Sequence, residues 1–157
     1  MDEQLLHTLG CMTYGIYVLT TCHRKTINGM IASWVSQVSY DPPLVLIAIH
    51  PNRFSHRLIQ KSGAFALHLL YKNQKDLLAR FKGPDPGAKF ADLEWSRSQT
   101  GCPILKDCLG YMECTVKAML QPGNHTLFIG EVLEARLFAH EEPLTTLDYK
   151  GRYVGKD

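Results

Sequence analysis

Residues 30–39 read Met30-Ile31-Ala32-Ser33-Trp34-Val35-Ser36-Gln37-Val38-Ser39, and the fold turns on how this decapeptide is taken. Its β-branched and aromatic content predicts a strand. Met30, Ala32, Trp34, Gln37 and Ser39 do not alternate cleanly along it, and such a break predicts a bulge or a backbone turned toward a ligand. Upstream, residues 14–22 (YGIYVLTTC) form a strand by composition, and His23-Arg24-Lys25-Thr26 is a polar turn. Downstream, Asp41-Pro42-Pro43 predicts an extended link, because each proline restricts the residue before it. Residues 44–50 (LVLIAIH) are almost continuously apolar and predict a strand buried on both faces.

The same reading extends outward. Leu5, Leu6 and Leu9 at helical spacing predict a short helix over 3–12. Pro51-Asn52-Arg53 opens a second helix over about 54–61, and residues 64–71 (AFALHLLY) form the next strand. Asn73 is a candidate cap for a helix with Asp76 in its first turn and Leu77, Leu78 and Phe81 on one face. Residues 82–103 hold Gly83, Pro84, Pro86, Gly87 and Gly101 and predict a long loop with at most a helical turn near Phe90. A loop of that length usually covers something. Residues 109–120 and 125–137 are two long strands joined by Gln121-Pro122-Gly123-Asn124, whose Pro-Gly pair predicts a type II turn. About six strands and two or three short helices, with no crossover helices, predict a mainly β chain. It closes as a small antiparallel barrel in one domain spanning residues 1–157.

Composition excludes several functions. The 17 Lys+Arg and 15 Asp+Glu give a net charge of +2 with the basic residues scattered, so no nucleic-acid partner is expected. The longest aliphatic run, residues 44–49, is far short of the roughly 20 residues of a membrane span. The acidic start Met1-Asp2-Glu3 is followed by no signal-like apolar core, which predicts a cytoplasmic protein. Hydrophobic residues make up 45% of the chain, which argues against disorder. Cys11, Cys22, Cys102, Cys108 and Cys114 form no C-x-x-C pair and predict reduced thiols with no metal site. No dinucleotide fingerprint, phosphate-binding P-loop, nucleophile elbow or H-E-x-x-H motif is present.

Four segments could carry chemistry. In residues 28–36, small and hydroxylic side chains would let a flat ligand approach the backbone, with Ser33 and Ser36 adding hydroxyls; a solvated edge strand reads the same way. Asn52-Arg53-Phe54-Ser55-His56 begins a helix, where free N–H groups suit a phosphate, although Asn52 or Ser55 could simply cap it. Phe81-Lys82-Gly83 ends a helix, so Lys82 could pair with a phosphate or only complement the helix dipole. His125 stands beside a tight turn at a strand mouth, where an imidazole can act or be inert. His68 lies in an apolar strand and reads as a satisfied core residue. Trp34 and Trp95 could stack on a ring or fill the core.

Taken in order, Tyr14-Gly15-Ile16-Tyr17-Val18-Leu19-Thr20-Thr21, Gly29 to Ser39, Asp41-Pro42-Pro43-Leu44-Val45 and Leu78-Ala79-Arg80-Phe81-Lys82-Gly83 resemble the flavin reductase family. So do Gly101-Cys102-Pro103-Ile104-Leu105, Glu113-Cys114 and residues 123–132 (GNHTLFIGEV). The resemblance covers about residues 5–155. It implies an FMN-binding split β-barrel of Greek-key type and a homodimer with a flavin at each subunit junction. It also implies hydride transfer from NADH or NADPH to the flavin, and onward transfer to free flavin, a ferric chelate or a redox protein. By the same resemblance Ile31, Ala32, Ser33 and Trp34 line the ring with Ser36 and Gln37 near it. Asn52, Ser55, Lys82 and Gly83 meet the phosphate end, and His125 lies on the nicotinamide side. Two departures stand out: Ile31 replaces a hydroxylic residue, and Asn124 replaces an aspartate. They leave room for an FMN-binding electron carrier reduced by a protein partner. Tyr149-Lys150-Gly151-Arg152-Tyr153 resembles members linked to rubredoxin or flavodiiron electron transfer.

Overall fold

A computed structural model describes residues 2–149; the motif Tyr149-Lys150-Gly151-Arg152-Tyr153 lies almost wholly outside the described residues. The chain runs α1 (Glu3–Gly10), β1 (Tyr17–His23), β2 (Thr26–Ala32), β3 (Val35–Tyr40), β4 (Pro43–Ile49), α2 (Phe54–Ser62), β5 (Ala64–Leu69). It continues through α3 (Asp76–Lys82), α4 (Pro86–Phe90), β6 (Trp95–Arg97), β7 (Pro103–Leu105), β8 (Gly110–Leu120) and β9 (Thr126–Leu137). Seven strands form one antiparallel sheet in the order β2-β1-β5-β8-β9-β4-β3, and β6 pairs with β7 alone. This is a mainly β split barrel; the segments predict the mainly β barrel, and the family resemblance its split form.

The decapeptide is not one strand. β2 ends at Ala32, β3 starts at Val35, and Ser33 and Trp34 form the break between them. The Val35 amide donates back to Ser33 O (2.9 Å), and Trp34 O accepts from the Ala48 amide (3.0 Å). A second irregularity, a register shift between Gln37 and Ser39, bends β3 against β4. The main sheet therefore holds seven strands where about six were expected.

Other expectations are corrected. Asp41 and Pro42 form a tight turn with a cis peptide between β3 and β4, so that link is not extended. In β4, Val45, Ile47 and Ile49 are buried while Leu44, Leu46 and Ala48 are half-buried, so one face is less enclosed than the other. Asn73 does not cap α3. Its cap position is Lys75, with no side-chain bond, and Gln74 takes the tying role by accepting from the Tyr71 amide (2.9 Å) and donating to Asp107 O (2.9 Å). Gly123 lacks the positive φ that a type II turn demands, so Pro122-Gly123 bends the chain in another way. The long loop carries both α4 and the β6–β7 ribbon.

Alternation along β2 sorts two cores. Met30 and Ala32 pack inward with Leu19, Ile47, Ile49, Phe65, Leu67 and Phe128. Ile27 and Ile31 face outward, toward Leu77, Leu78 and Phe81 of α3 and Phe90 of α4. Each large side chain buried in these clusters contributes about 1.5–3 kcal/mol. Gly29 is required here: an added Cβ would meet the Phe81 ring at 2.5 Å. Its smallness thus serves the seating of α3.

Candidate functional site

The β2–β3 break is where the sheet leaves backbone groups outside its ladder. Among the described residues, no backbone carbonyl receives the Ser33 or Trp34 N–H. Ser33 is buried and Trp34 half-buried. The adjoining Ala32 methyl and Ile31 side chain are committed to the two cores, so these residues can offer a ligand mainly backbone. Ser36 and Gln37 are exposed on β3, where Ser36 Oγ donates to Gln37 O (3.1 Å) and Gln37 Nε2 to Ser39 O (3.4 Å).

Strand pairing then brings distant rings to the break. Thr126 at the start of β9 faces Ile49 at the end of β4, so their neighbours His125 and His50 meet. The His125 ring lies 4.6 Å from Trp34, tilted by 49°, and 5.2 Å from His50, edge-on at 83°. Asn124 Oδ1 lies 2.8 Å from His125 Nδ1. An amide oxygen only accepts, so Nδ1 carries the proton and Nε2 is the ring's acceptor. The result is a half-buried aromatic corner beside backbone donors, a donor set that fits one edge of a flat heteroaromatic ring.

A second cluster sits at the start of α2. The cap position there is Arg53, which makes no side-chain capping bond, so neither Asn52 nor Ser55 caps the helix. Ser55 is fully buried, and its Oγ accepts from Asn28 Nδ2 (2.9 Å). With no exposed surface, that hydroxyl ties α2 to β2 and does not itself face a ligand. The ammonium that reaches this pair is Lys89 of α4, which donates to Asn28 Oδ1 (3.1 Å) and Gly29 O (2.8 Å). Lys82 is exposed at the end of α3 and donates to the Tyr149 hydroxyl (2.9 Å), while Gly83 is the helix cap beside it. The structure thus joins Ser55 to Asn28 and Lys89, and turns Lys82 toward Tyr149.

Other titratable groups are committed to the fold. His68 is fully buried between Val18 O (3.0 Å) and the Leu105 amide (3.1 Å), and burial pushes it down to about 4. His56 is lowered by burial and then by the charge of His50; its Nε2 meets Thr126 Oγ1 (2.8 Å), while its Nδ1 is buried without a hydrogen-bond partner among the described residues. Glu113 is fully buried, its Oε1 accepting from the Thr100 amide (2.7 Å). Burial pushes Cys102 and Cys108 up to about 11 and Cys114 to about 12, which keeps these thiols protonated and unreactive. Among the described residues no group of three or more His, Cys, Asp or Glu could hold a metal ion, and no helix is long and apolar enough to cross a membrane.

Sequence reasoning gave no role to His50 or Lys89 and named Arg53 only within the Asn52–His56 segment. His50 precedes Pro51-Asn52 and could have been flagged by position. Lys89 had no signal, because it sits in the glycine- and proline-rich loop and reaches β2 only through the tertiary fold.

Comparison with known proteins adds the family. The model for the flavin reductase like domain matches residues 9–156. The chain is 33% identical over 153 residues to the high molecular weight rubredoxin of Moorella thermoacetica, covering 95% of this chain and 66% of that one. It therefore spans slightly under two thirds of that relative. It is 35% identical over 147 residues to HsaB, the reductase subunit of a flavin-dependent monooxygenase of Mycobacterium tuberculosis, covering 94% of this chain and 78% of HsaB. The solved structure of flavin reductase PheA2 in its native state superposes with a TM-score of 0.82 at 31% identity, covering 99% of this chain and 100% of PheA2.

Proposed function

Because the chain belongs to the flavin reductase-like family, we propose that it is an NAD(P)H-dependent flavin oxidoreductase with FMN as its flavin. Its acceptor is free flavin, a ferric chelate or a redox protein, and residues 1–157 act as one flavin-binding domain. The observation that carries this reading is the Ser33–Trp34 break with His125 packed 4.6 Å from Trp34. A bound flavin supplies a two-electron acceptor that nicotinamide can reduce by hydride transfer.

The chain's own residues position, polarise and shield. The Ser33 and Trp34 N–H groups donate to the polar edge of the ring, where negative charge develops on reduction. Ile31 and Ala32 hold that backbone rigid from the two cores, and Ser36 and Gln37 border the ring on β3. His125 Nε2 accepts from the carboxamide of the nicotinamide, with Asn124 holding the tautomer. This is an orienting role, since hydride transfer needs no strong acid. The uncapped first turn of α2, with Asn52 and Arg53 at its mouth and Ser55 fixing it from behind, receives the phosphate end. Lys82 and Gly83 border it at the end of α3. Two copies of the chain enclose the ring. Tyr40 (85% exposed), Leu137 (55%) and Phe138 (50%) support that reading, since apolar residues this exposed fit a subunit contact.

The test is an anaerobic absorbance spectrum of the FMN-loaded protein, followed by stopped-flow mixing with NADH and, separately, NADPH. Rapid bleaching of the visible flavin band by either supports the reductase. Bound flavin that bleaches with neither, but does so with a reduced rubredoxin-type protein, identifies the electron carrier instead. That alternative is favoured by one observation, the Ile31 side chain packed outward toward α3, at the position where the family resemblance implies a hydroxyl.

A further inference from the structure

Cys22 and Cys102 are distant in the chain and meet where the β6–β7 ribbon crosses β1. Cys22 lies near the end of β1, and Cys102 directly precedes Pro103, the first residue of β7. On one side of Cys102, Pro103 O accepts from Thr20 Oγ1 of β1 (2.6 Å). On the other side, Gly101 comes down onto Cys22: an added Cβ would stand 3.2 Å from Cys22 Sγ. Gly101 also has a φ of +83°, the left-handed region that favours glycine. Thr20 and Cys22 point to one face of β1, so Cys102 is bracketed by neighbours seated on both of them. Its thiol bonds to the Cys22 backbone and to the Thr100 side chain. This crossing brings the two cysteines to the short separation that a disulfide requires.

Both thiols are free. The ribbon is held over them by polar contacts. The Thr100 amide donates to the buried Glu113 Oε1 (2.7 Å), and Arg97 Nη1 donates both to Gly101 O (3.0 Å) and to Cys22 Sγ (3.8 Å). One guanidinium thus keeps the Cys22 sulfur against the ribbon. The two sulfurs differ in access. Cys102 is 0% exposed, and burial keeps its thiol protonated. Cys22 retains 7%, next to the exposed turn residues Arg24 and Lys25. A small oxidant from solvent therefore meets Cys22 first.

We propose that Cys22 and Cys102 are a redox pair that hydrogen peroxide closes into a disulfide, stapling the β6–β7 ribbon to β1. The Cys22 sulfur bonds to one peroxide oxygen, the O–O bond breaks, and the departing hydroxide takes up the Cys22 proton as water. The Cys102 sulfur then displaces the hydroxyl of the Cys22 sulfenic acid. The S–S bond forms as the S–O bond breaks, and the hydroxyl leaves with the Cys102 proton as a second water. Two thiols lose two electrons in all, and one peroxide gains them. Cys102 does not react with free oxidants, but its attack on Cys22 is intramolecular, and proximity offsets a small thiolate fraction. The pair lies at the opposite end of β1 from Tyr17, which faces Ala32, so it acts independently of flavin binding.

The experiment treats the full chain with hydrogen peroxide under native conditions, carrying Cys11→Ser throughout to remove the exposed thiol. Remaining thiols are then blocked with iodoacetamide and the digest is mapped by mass spectrometry. The expected product is a Cys22–Cys102 linked peptide, two hydrogens lighter than the reduced pair, which dithiothreitol releases. The link closes a loop of about 80 residues, so the oxidised chain should melt about 5 °C or more above the reduced one. That rise should vanish in Cys22→Ser, which should leave Cys102 a free thiol. Cys102→Ser should instead leave Cys22 as a sulfenic acid that dimedone labels. The proposal is overturned by the absence of a linked peptide, by a link of either cysteine to Cys108 or Cys114, or by a link that forms only in urea. It is overturned too if the linked chain melts no higher than the reduced one, because the bond then staples nothing. Should either serine variant not fold, the peptide map and the melting shift of the Cys11→Ser chain decide alone.

Discussion

His68 and His125 each belong to the strand frame, and they differ in what the frame leaves them. His68 lies near the end of β5, fully buried, with both ring nitrogens bonded to backbone. The Leu105 amide can only donate, so Nε2 accepts, Nδ1 carries the proton, and the ring is fixed as a neutral bridge between β1 and β7. His125 lies just outside β9, half-buried, with a side-chain amide on Nδ1 and two aromatic rings against its faces and edge. One imidazole is built into the fold by backbone groups. The other is held by side chains at the sheet edge, half-buried. The same residue type is locked into the frame in one place and left at its edge in the other.

The largest expected effect falls on the buried ring. His68→Ala removes the acceptor of the Leu105 amide, strands Val18 O and opens a cavity, at a cost of about 3–4 kcal/mol. Urea denaturation measures it. A loss under about 1 kcal/mol would show that the bridge between β1 and β7 is not what holds this region.

The same ring predicts an acid sensitivity. Folded His68 titrates at about 4 against 6.5 for an ordinary histidine. Between those values the unfolded chain binds a proton that the folded chain refuses, so stability is present in full above 6.5 and falls as the pH drops toward 4. At about 1.4 kcal/mol for each pH unit, the whole loss is on the order of 3 kcal/mol. Denaturation curves at pH 7, 5.5 and 4.5 report it, and the slope should flatten in His68→Phe. An unchanged slope in that variant would assign the acid sensitivity to another group.

His125→Ala inverts the pattern. Thermal stability should hold within about 1 kcal/mol, as expected for a side chain outside the core. Flavin reduction by NADH should slow about 10- to 100-fold, equivalent to about 1.4–2.7 kcal/mol of barrier. Stopped-flow traces and melting curves on one preparation separate the two quantities. A variant that loses FMN binding as much as it loses rate would move His125 from orienting nicotinamide to holding the flavin.

This contrast also marks what the sequence made legible. Strand content, an interrupted alternation somewhere in residues 30–39, the core place of His68 and the position of His125 beside a strand mouth all follow from local pattern, because burial imposes a two-residue rhythm that irregular backbone interrupts. The reach of Lys89 was not legible. Lys82 closes an amphipathic helix and its ammonium meets Tyr149, while Lys89 from the irregular loop reaches Asn28 on β2. Nor could the sequence show that Gly29 is small for the sake of Phe81. Both facts depend on how α3 and α4 fold back over β2, and pairings this distant in the chain leave no periodic trace.

The smallest effect tests how far side-chain anchoring governs the exposed ring. In Asn124→Asp the acceptor of Nδ1–H becomes a carboxylate, and a charge-assisted hydrogen bond is roughly twice as strong as a neutral one. The tautomer does not change, since Nδ1 already donates to an accepting oxygen 2.8 Å away. Nε2 therefore stays an acceptor for the nicotinamide carboxamide, only more basic. If orientation is the whole task, the rate of reduction by NADH should change less than threefold near neutral pH and the melting temperature by about a degree. If the ring must instead give or take a proton, the greater basicity of Nε2 should change the plateau rate by more than threefold. Profiles measured from pH 5.5 to 9 on both proteins compare the two plateaus, and an orienting ring predicts plateaus within threefold of each other.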